Sequence, residues 1–448
     1  MIENIEYKGK WRIPESETWI NGVVKFTPED GISLEIFGSF GTDLLNHPSQ
    51  EIILGETIDG EITLVSNYFR SSINNFDQIS IDVYTPTFII KNRHFNSIDE
   101  VRFREISFRL FNLFEWYGST GLIMNFTNLS LFSINYKRPE DIEFSIHKDC
   151  VGKLRFFSPI KTEKSNNRLY LYEECEVSFK YPEKVEFRKL LNDMSIFQRF
   201  ITLSTFEQSY PLQITLHDDD YFLQEENHKQ KLFLHCTYQN IFFNKKYQFR
   251  TSNDSLLKFQ DIQEEYPRLI RNWYNLFQEI EPTINLLLSY FVNKNKINRE
   301  KFMEIIRGLE TFHRSTSQNT RTPKSEFKKK VTSILGSLDL PKEDKDWLKE
   351  ELQYSNELKL RDRLIDLIDK YSNNYIKKHF DDIDSICRNV VNTRNYYTHF
   401  GNHLKGRIYS NNELVGITQK LTGLLISCVL SEIGVDNRFF EDKLDELL

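Results

Sequence analysis

The sequence predicts an α+β multidomain protein, with a β-rich N-terminal half followed by an all-α helical bundle. Three observations carry that prediction. At 448 residues the chain is too long for one typical core. Up to about residue 250, apolar and polar residues alternate, and the 36 Phe and 21 Tyr supply the bulky side chains that pleated surfaces favour. From about residue 260 the apolar period becomes helical.

Taken in order, Ile20 to Phe26 and Ile32 to Phe37 flank the turn Pro28-Glu29-Asp30-Gly31 and read as a hairpin. Further strands are expected at Glu61 to Val65, Ile79 to Tyr84, Glu105 to Phe111, Glu143 to His147 and Glu176 to Lys180. A helix follows from Glu183, just after Pro182, to Phe206, with Leu190, Met194, Phe197 and Ile201 as its apolar stripe. Strands resume at Leu212 to Leu216 and Lys231 to His235. Helices are then expected at Pro267–Glu279, Pro282–Val292, Asn298–Arg314, Ser325–Ser337, Lys342–Gln353, Glu357–Tyr371, Asp381–His399 and Asn412–Ile433, with a last one from Asn437. The polar stretch Ser315 to Lys324 reads as a loop. These elements suggest three regions: a β-rich domain over 1–145, a second β-rich lobe with one helix over 146–255, and an all-α domain over 260–448.

With 58 basic and 65 acidic residues, the net charge of −7 excludes a generally basic nucleic-acid coat protein, so any nucleic-acid contact has to come from a local patch. Five scattered cysteines, Cys150, Cys175, Cys236, Cys387 and Cys428, show no paired spacing, which suits a reducing cytoplasm better than a disulfide framework or zinc knuckle. No apolar leader opens the chain and no run reaches the ~20 residues that span a bilayer. Leu421 to Leu430 reads as a buried helix. No membrane association is expected. The chain has no Gly-rich phosphate loop, nucleophile elbow or His-Glu-x-x-His. His217-Asp218-Asp219-Asp220 offers carboxylates to a hard cation but no further ligands at a recognisable spacing, and reads as a tight acidic turn.

The segment Arg394-Asn395-Tyr396-Tyr397-Thr398-His399 stands out. Counting back, Ile383, Cys387 and Val390 fall at helical spacing on the side of Arg394, which puts a cation on an apolar stripe. A buried unpaired charge is costly, so Arg394 needs a partner or a task. Gly401 stands where a C-terminal cap is expected. Arg307 and His313 repeat the spacing inside a helix, without an end signal. A metal-free ribonuclease can use such a pair. Histidine moves a proton at the 2′-hydroxyl or the leaving 5′-oxygen, and arginine neutralises charge growing on the phosphate. The structural alternative is a helix-end cation with a histidine that caps carbonyls.

This segment resembles the Arg-polar-x-x-x-His motif of HEPN ribonuclease domains. The helical region around it, including Gly308-Leu309-Glu310-Thr311-Phe312-His313, resembles the ApeA-like HEPN family of anti-phage defence proteins. The opening, with Trp11, Ile20-Asn21-Gly22-Val23-Val24 and Ile32-Ser33-Leu34-Glu35-Ile36-Phe37-Gly38, is similar to the N-terminal domain of ApeA proteins. The resemblance implies a metal-independent endoribonuclease with no cofactor. Its site would lie at a homodimer interface of the C-terminal domain, and its products would be a 2′,3′-cyclic phosphate and a 5′-hydroxyl. Arg394, Asn395 and His399 carry over as its catalytic residues. Host or phage RNA, transfer RNA among them, would be cut on infection, with the N-terminal half as regulator and as the place where a phage-derived trigger acts. The alternatives are a non-catalytic RNA-binding or dimerisation scaffold and a HEPN toxin controlled by a separate partner.

Two supporting features are read from the residues. Glu310 and His313 lie one turn apart on a helix with the stripe Met303, Ile306, Leu309, and Glu310 points near the core. Glu310 either pairs with Arg394 and holds it, or pairs with Arg307 or Arg314. Lys324, Lys328, Lys329 and Lys330 form a basic run that either collects RNA phosphates or is a solvated helix face.

Overall fold

A computed structural model describes residues 4–41, 48–73, 80–128, 131–158, 160–163, 168–225, 228–238, 252–292, 296–401, 406 and 408–448. The chain divides into two compact units, Met1–Arg271 and Asn272–Leu448. The N-terminal half is β-rich and the C-terminal region helical.

The first unit begins with β1 (Ile5–Arg12), β2 (Ile20–Thr27), β3 (Gly31–Ile36), β4 (Gln50–Thr57), β5 (Gly60–Ile73) and β6 (Ile81–Lys91). Pairing runs β6-β3-β2-β1-β4-β5 and returns from β5 to β6, which closes a six-stranded antiparallel barrel. The expected hairpin is β2–β3, in register Val24↔Leu34 and Phe26↔Ile32. Ile79 lies outside the described residues. Alternate side chains fill the barrel: Val24, Phe26, Leu34, Ile36, Ile53, Ile62, Leu64 and Tyr84 pack around a fully buried Trp11. Trp11 sits opposite Gly55 on β4, where a Cβ would come 2.3 Å from the indole ring. Only glycine admits the indole there.

From β6 the sheet continues outward through β7 (Arg102–Leu110), β10 (Ile142–His147), β11 (Cys150–Phe157), β14 (Glu174–Glu186), β15 (Pro211–Glu225) and β16 (His228–Tyr238), in the order β6-β16-β15-β7-β14-β11-β10. Strands on both sides of residue 145 therefore share one hydrogen-bonded sheet. Two hairpins stand apart: β8 (Leu122–Asn128) with β9 (Leu131–Tyr136), and β12 (Ile160–Glu163) with β13 (Arg168–Leu171). The sheet-covering helix α2 (Phe187–Thr205) packs on β7 and β14, and short α1 (Leu113–Tyr117) packs against both α2 and α3 (Phe259–Ile262). Phe108, Phe179 and Phe197 meet edge-on at 5.2–6.0 Å in that core.

Two expectations in this unit are corrected. The helix starts at Phe187, not Glu183, because β14 runs on to Glu186. Pro182 sits where the β14–β7 register slips between Lys180 and Val185, a position that tolerates a missing N–H. His217-Asp218-Asp219-Asp220 is no turn: it lies within β15, at the slip between His217 and Phe222. Asp218 is buried and held by Arg93 and by Lys184 Nζ at 2.8 Å. The side chains of Asp219 and Asp220 lie outside the described residues.

The helical unit comprises most of α4 (Tyr266–Val292), then α5 (Asn298–Thr316), α6 (Lys324–Ser337), α7 (Lys342–Leu352), α8 (Leu360–Lys370), α9 (Asn374–His379), α10 (Ile383–His399), α11 (Asn411–Ile433) and α12 (Glu441–Leu447). α4 merges two expected helices across a kink at Ile280 (φ −123°, ψ 21°), since Pro282 cannot continue the hydrogen-bond ladder. α8 starts at Leu360 rather than Glu357, because Glu357 bridges Thr320. α10 starts two residues later than expected, capped by Asp382, whose carboxylate accepts from the Ser385 N–H at 3.1 Å. By length and composition α11 could cross a bilayer, but 72 % of its most apolar window is buried, and all of Leu421–Leu430 is core. α5 reaches α11 closely at Gly308, where a Cβ would meet Leu425 at 2.9 Å.

Candidate active site

The last two turns of α10 carry Arg394, Asn395 and His399, and α5 supplies Glu310. The buried stripe of α10 is Cys387, Val390 and Thr393. This corrects the placement of Arg394. The buried stripe steps by three residues, from Cys387 to Val390 to Thr393, and the Thr393 hydroxyl donates to Asn389 O at 2.7 Å and accepts from the Tyr409 N–H at 3.0 Å. Arg394 falls beside the stripe, its side chain 34 % exposed.

The Arg394 guanidinium donates from Nη1 to Asn395 Oδ1 at 3.2 Å, and its Nη2 stands 3.9 Å from Glu310 Oε2. Glu310 is shared: Arg314 Nη2 approaches its other oxygen at 3.2 Å. The ionic chain continues from Arg314 to Glu357 at 3.6 Å and from Glu357 to Arg363 at 3.5 Å. Arg363 is almost fully buried, donating to Leu358 O at 2.9 Å and Asn319 Oδ1 at 2.7 Å. Of the three partners weighed for Glu310 from sequence, Arg394 and Arg314 are present, and the Arg314 contact is shorter.

His399 is the last residue of α10, is exposed, and makes no side-chain hydrogen bond among the described residues. The cap is one residue earlier than expected: Phe400, not Gly401, takes the left-handed conformation (φ 51°, ψ 34°), donating its N–H to Tyr396 O at 2.7 Å. A bulky residue in that region is strained, and such strain gathers at functional sites. Aromatic rings brace this end: Tyr396 lies 5.6 Å from Tyr397 and 6.1 Å from Phe400, and Arg299 sits over Tyr397 at 5.8 Å.

His313 belongs to a different environment. Its side chain is fully buried, and Nε2 lies 3.0 Å from Asp366 Oδ2. Its Nδ1 makes no hydrogen bond among the described residues. Burial pushes the imidazole pKa down, and the Asp366 carboxylate only partly opposes this. A neutral ring donating Nε2–H to Asp366 suits this buried position, where protonation would bury a charge. His313 thus ties α5 to α8 and, among the described residues, makes no bond to Arg394 or His399. Lys324, Lys328, Lys329 and Lys330 are all exposed on α6.

The sequence reading missed Arg363 and Asp366. A signal was present: Arg363 lies between Leu360, Leu364 and Leu367 on an apolar stripe, the same pattern that drew attention to Arg394. Asp366 gives none, since an exposed carboxylate on α8 looks like any other.

No curated protein and no solved structure matches the chain. Two family models do. Residues 6–273 match ApeA N-terminal domain 1. Residues 303–439, which include Glu310, His313, Arg394, Asn395 and His399, match the Apea-like HEPN domain. The barrel with its extended sheet and the helical bundle that carries the arginine–histidine end of α10 thus each fall within one matched region, and the chain belongs to the ApeA-like HEPN anti-phage proteins.

Proposed function

We propose that this protein is a cytoplasmic, metal-independent endoribonuclease that cuts host or phage RNA on infection. The observation that carries the reading is the state of Arg394 and His399: two side chains able to do phosphoryl-transfer chemistry share the end of one helix, reach solvent, and are only lightly committed to other groups. In this reading the Arg394 fork meets the non-bridging oxygens of the scissile phosphate, as a planar guanidinium suits a phosphate. Asn395 orients that fork. His399 takes the 2′-hydroxyl proton as the 2′-oxygen attacks phosphorus, the P–O5′ bond breaks, and the 5′-oxygen leaves as a hydroxyl after accepting a proton. One histidine cannot be base and acid in the same step. A second copy of the chain, bringing its own pair, supplies the other, so the working site is read as that of a homodimer. The N-terminal unit is the regulator, and a phage-derived trigger acts there.

The test uses the full chain. Purified wild-type protein, with chelator present, is expected to cut RNA to 2′,3′-cyclic phosphate and 5′-hydroxyl ends, transfer RNA being the first substrate to try. Cells expressing it should resist phage, and cells expressing well-folded Arg394→Ala or His399→Ala should not. Full protection by both variants would make the pair structural and the bundle a scaffold. Removal of residues 1–250 tests restraint: a stable fragment with no gain in cleavage would exclude direct autoinhibition.

A further inference from the structure

We propose that α6 and α7 form an arm through which two copies of this chain pair, α6 of one copy against α7 of the other. The proposal rests on the reading that two copies work together and names the surface that joins them. The arm leaves the bundle through a fixed neck. The Arg321 N–H donates to Asn356 O at 2.9 Å and the Leu358 N–H to Asn319 O at 3.0 Å. Buried Asn356 accepts from Thr322 N–H and O–H, both at 3.1 Å, and donates to Thr322 O at 2.8 Å. Beyond that neck, none of residues 323–355 is buried.

The arm is nonetheless patterned like half of a core. Phe327, Val331 and Leu335 on α6 and Leu348 and Leu352 on α7 are only half-buried, and Ile334 and Trp347 are 46 % and 61 % exposed. Helices of 14 and 11 residues are marginal in water unless an apolar face is covered. Two such hairpins give a four-helix bundle, the usual solution for this pattern.

Charge identifies the occupant. α6 carries four lysines against one glutamate, and α7 carries three lysines against five carboxylates. In a two-fold pairing every contact is made twice, so each basic α6 meets an acidic α7. RNA is the other occupant the lysine run suggests. A phosphate chain laid on the arm would run beside the carboxylates of α7, whereas a second arm is complementary to both helices.

Light scattering and sedimentation of the full chain test this. Wild type is expected to be a dimer. Ile334→Glu with Trp347→Glu should weaken pairing at least about 30-fold, while the variant still unfolds cooperatively. Lys328→Glu with Lys329→Glu, and separately Glu350→Lys with Glu351→Lys, should each weaken self-pairing, and mixing the two proteins should restore a dimer. A monomeric wild type, an unchanged dimer in the Ile334/Trp347 variant, or a variant that stays dimeric but loses RNA binding would each overturn the proposal. Loss or retention of cleavage by Arg394→Ala in an intact dimer bears on the catalytic reading alone.

Discussion

Two arginine–histidine sets lie within one bundle and have opposite surroundings. Arg363 and His313 are sealed. The guanidinium is spread over a backbone carbonyl, an asparagine and a carboxylate, and the imidazole is spent on Asp366. Arg394 and His399 sit on α10, which packs against the same α5 and α8, yet Arg394 has one long ion pair and a neighbouring amide, and His399 faces solvent. Residue type is the same in both sets. What separates them is how many donors are already committed and whether a phosphate can reach them. A fully committed buried cation holds helices together. A half-committed exposed one has donors left for a ligand.

Alanine at each position breaks this comparison most directly. Arg394→Ala and His399→Ala should lower RNA cleavage about 10²–10⁴-fold. Both sites are at least partly exposed, so denaturant stability should move by no more than about 0.5 kcal/mol. Arg363→Ala should do the reverse, costing about 1–3 kcal/mol because the Leu358 carbonyl and Asn319 lose a buried donor. Equal loss of stability in the Arg394 and Arg363 variants, measured by chemical denaturation, would erase the distinction.

His313 sharpens the same comparison through pH. Its pKa is lowered in the folded protein, so the unfolded chain takes up the proton first as pH falls. Its contribution is therefore present above the unfolded histidine value of about 6.5 and is lost as pH falls through the lower folded value. Denaturation between pH 7.5 and 5 should show stability falling with acid, and His313→Gln, which keeps a donor for Asp366, should flatten that slope. An unchanged slope would mean that other groups carry it.

Much of this contrast was legible in the sequence, and the part that was not has physical causes. The β2–β3 hairpin, the change of period near residue 260 and the Pro282 break follow from local pattern, which a single sequence displays. Barrel closure does not, because pairs that complete it, Leu34↔Tyr84 and Trp11↔Gly55, join residues far apart in the chain and leave no local mark. Pro182 misled because proline opens helices as readily as it sits at a strand irregularity. In the site, the Arg394 segment could be found from spacing and the family resemblance. Its distance from the core stripe turned on one residue, Thr393, whose hydroxyl was satisfied by backbone groups that sequence cannot show.

The smallest expected effect separates two roles for Glu310. At 3.9 Å and with both side chains partly exposed, its pair with Arg394 is worth about 0.2–1 kcal/mol, a few-fold in any rate or affinity. If Glu310 holds the guanidinium in place, Glu310→Gln should lower kcat a few-fold and leave KM nearly unchanged, since the arginine then reaches the phosphate less often in the right geometry. If it instead competes with RNA for Arg394, the same variant should lower KM and leave kcat alone. The shorter Arg314 contact favours holding: with Arg314 also drawing on its charge, Glu310 is a weak competitor but remains a fixed post on α5. A fall in KM with unchanged kcat in steady-state cleavage assays would assign it the competing role.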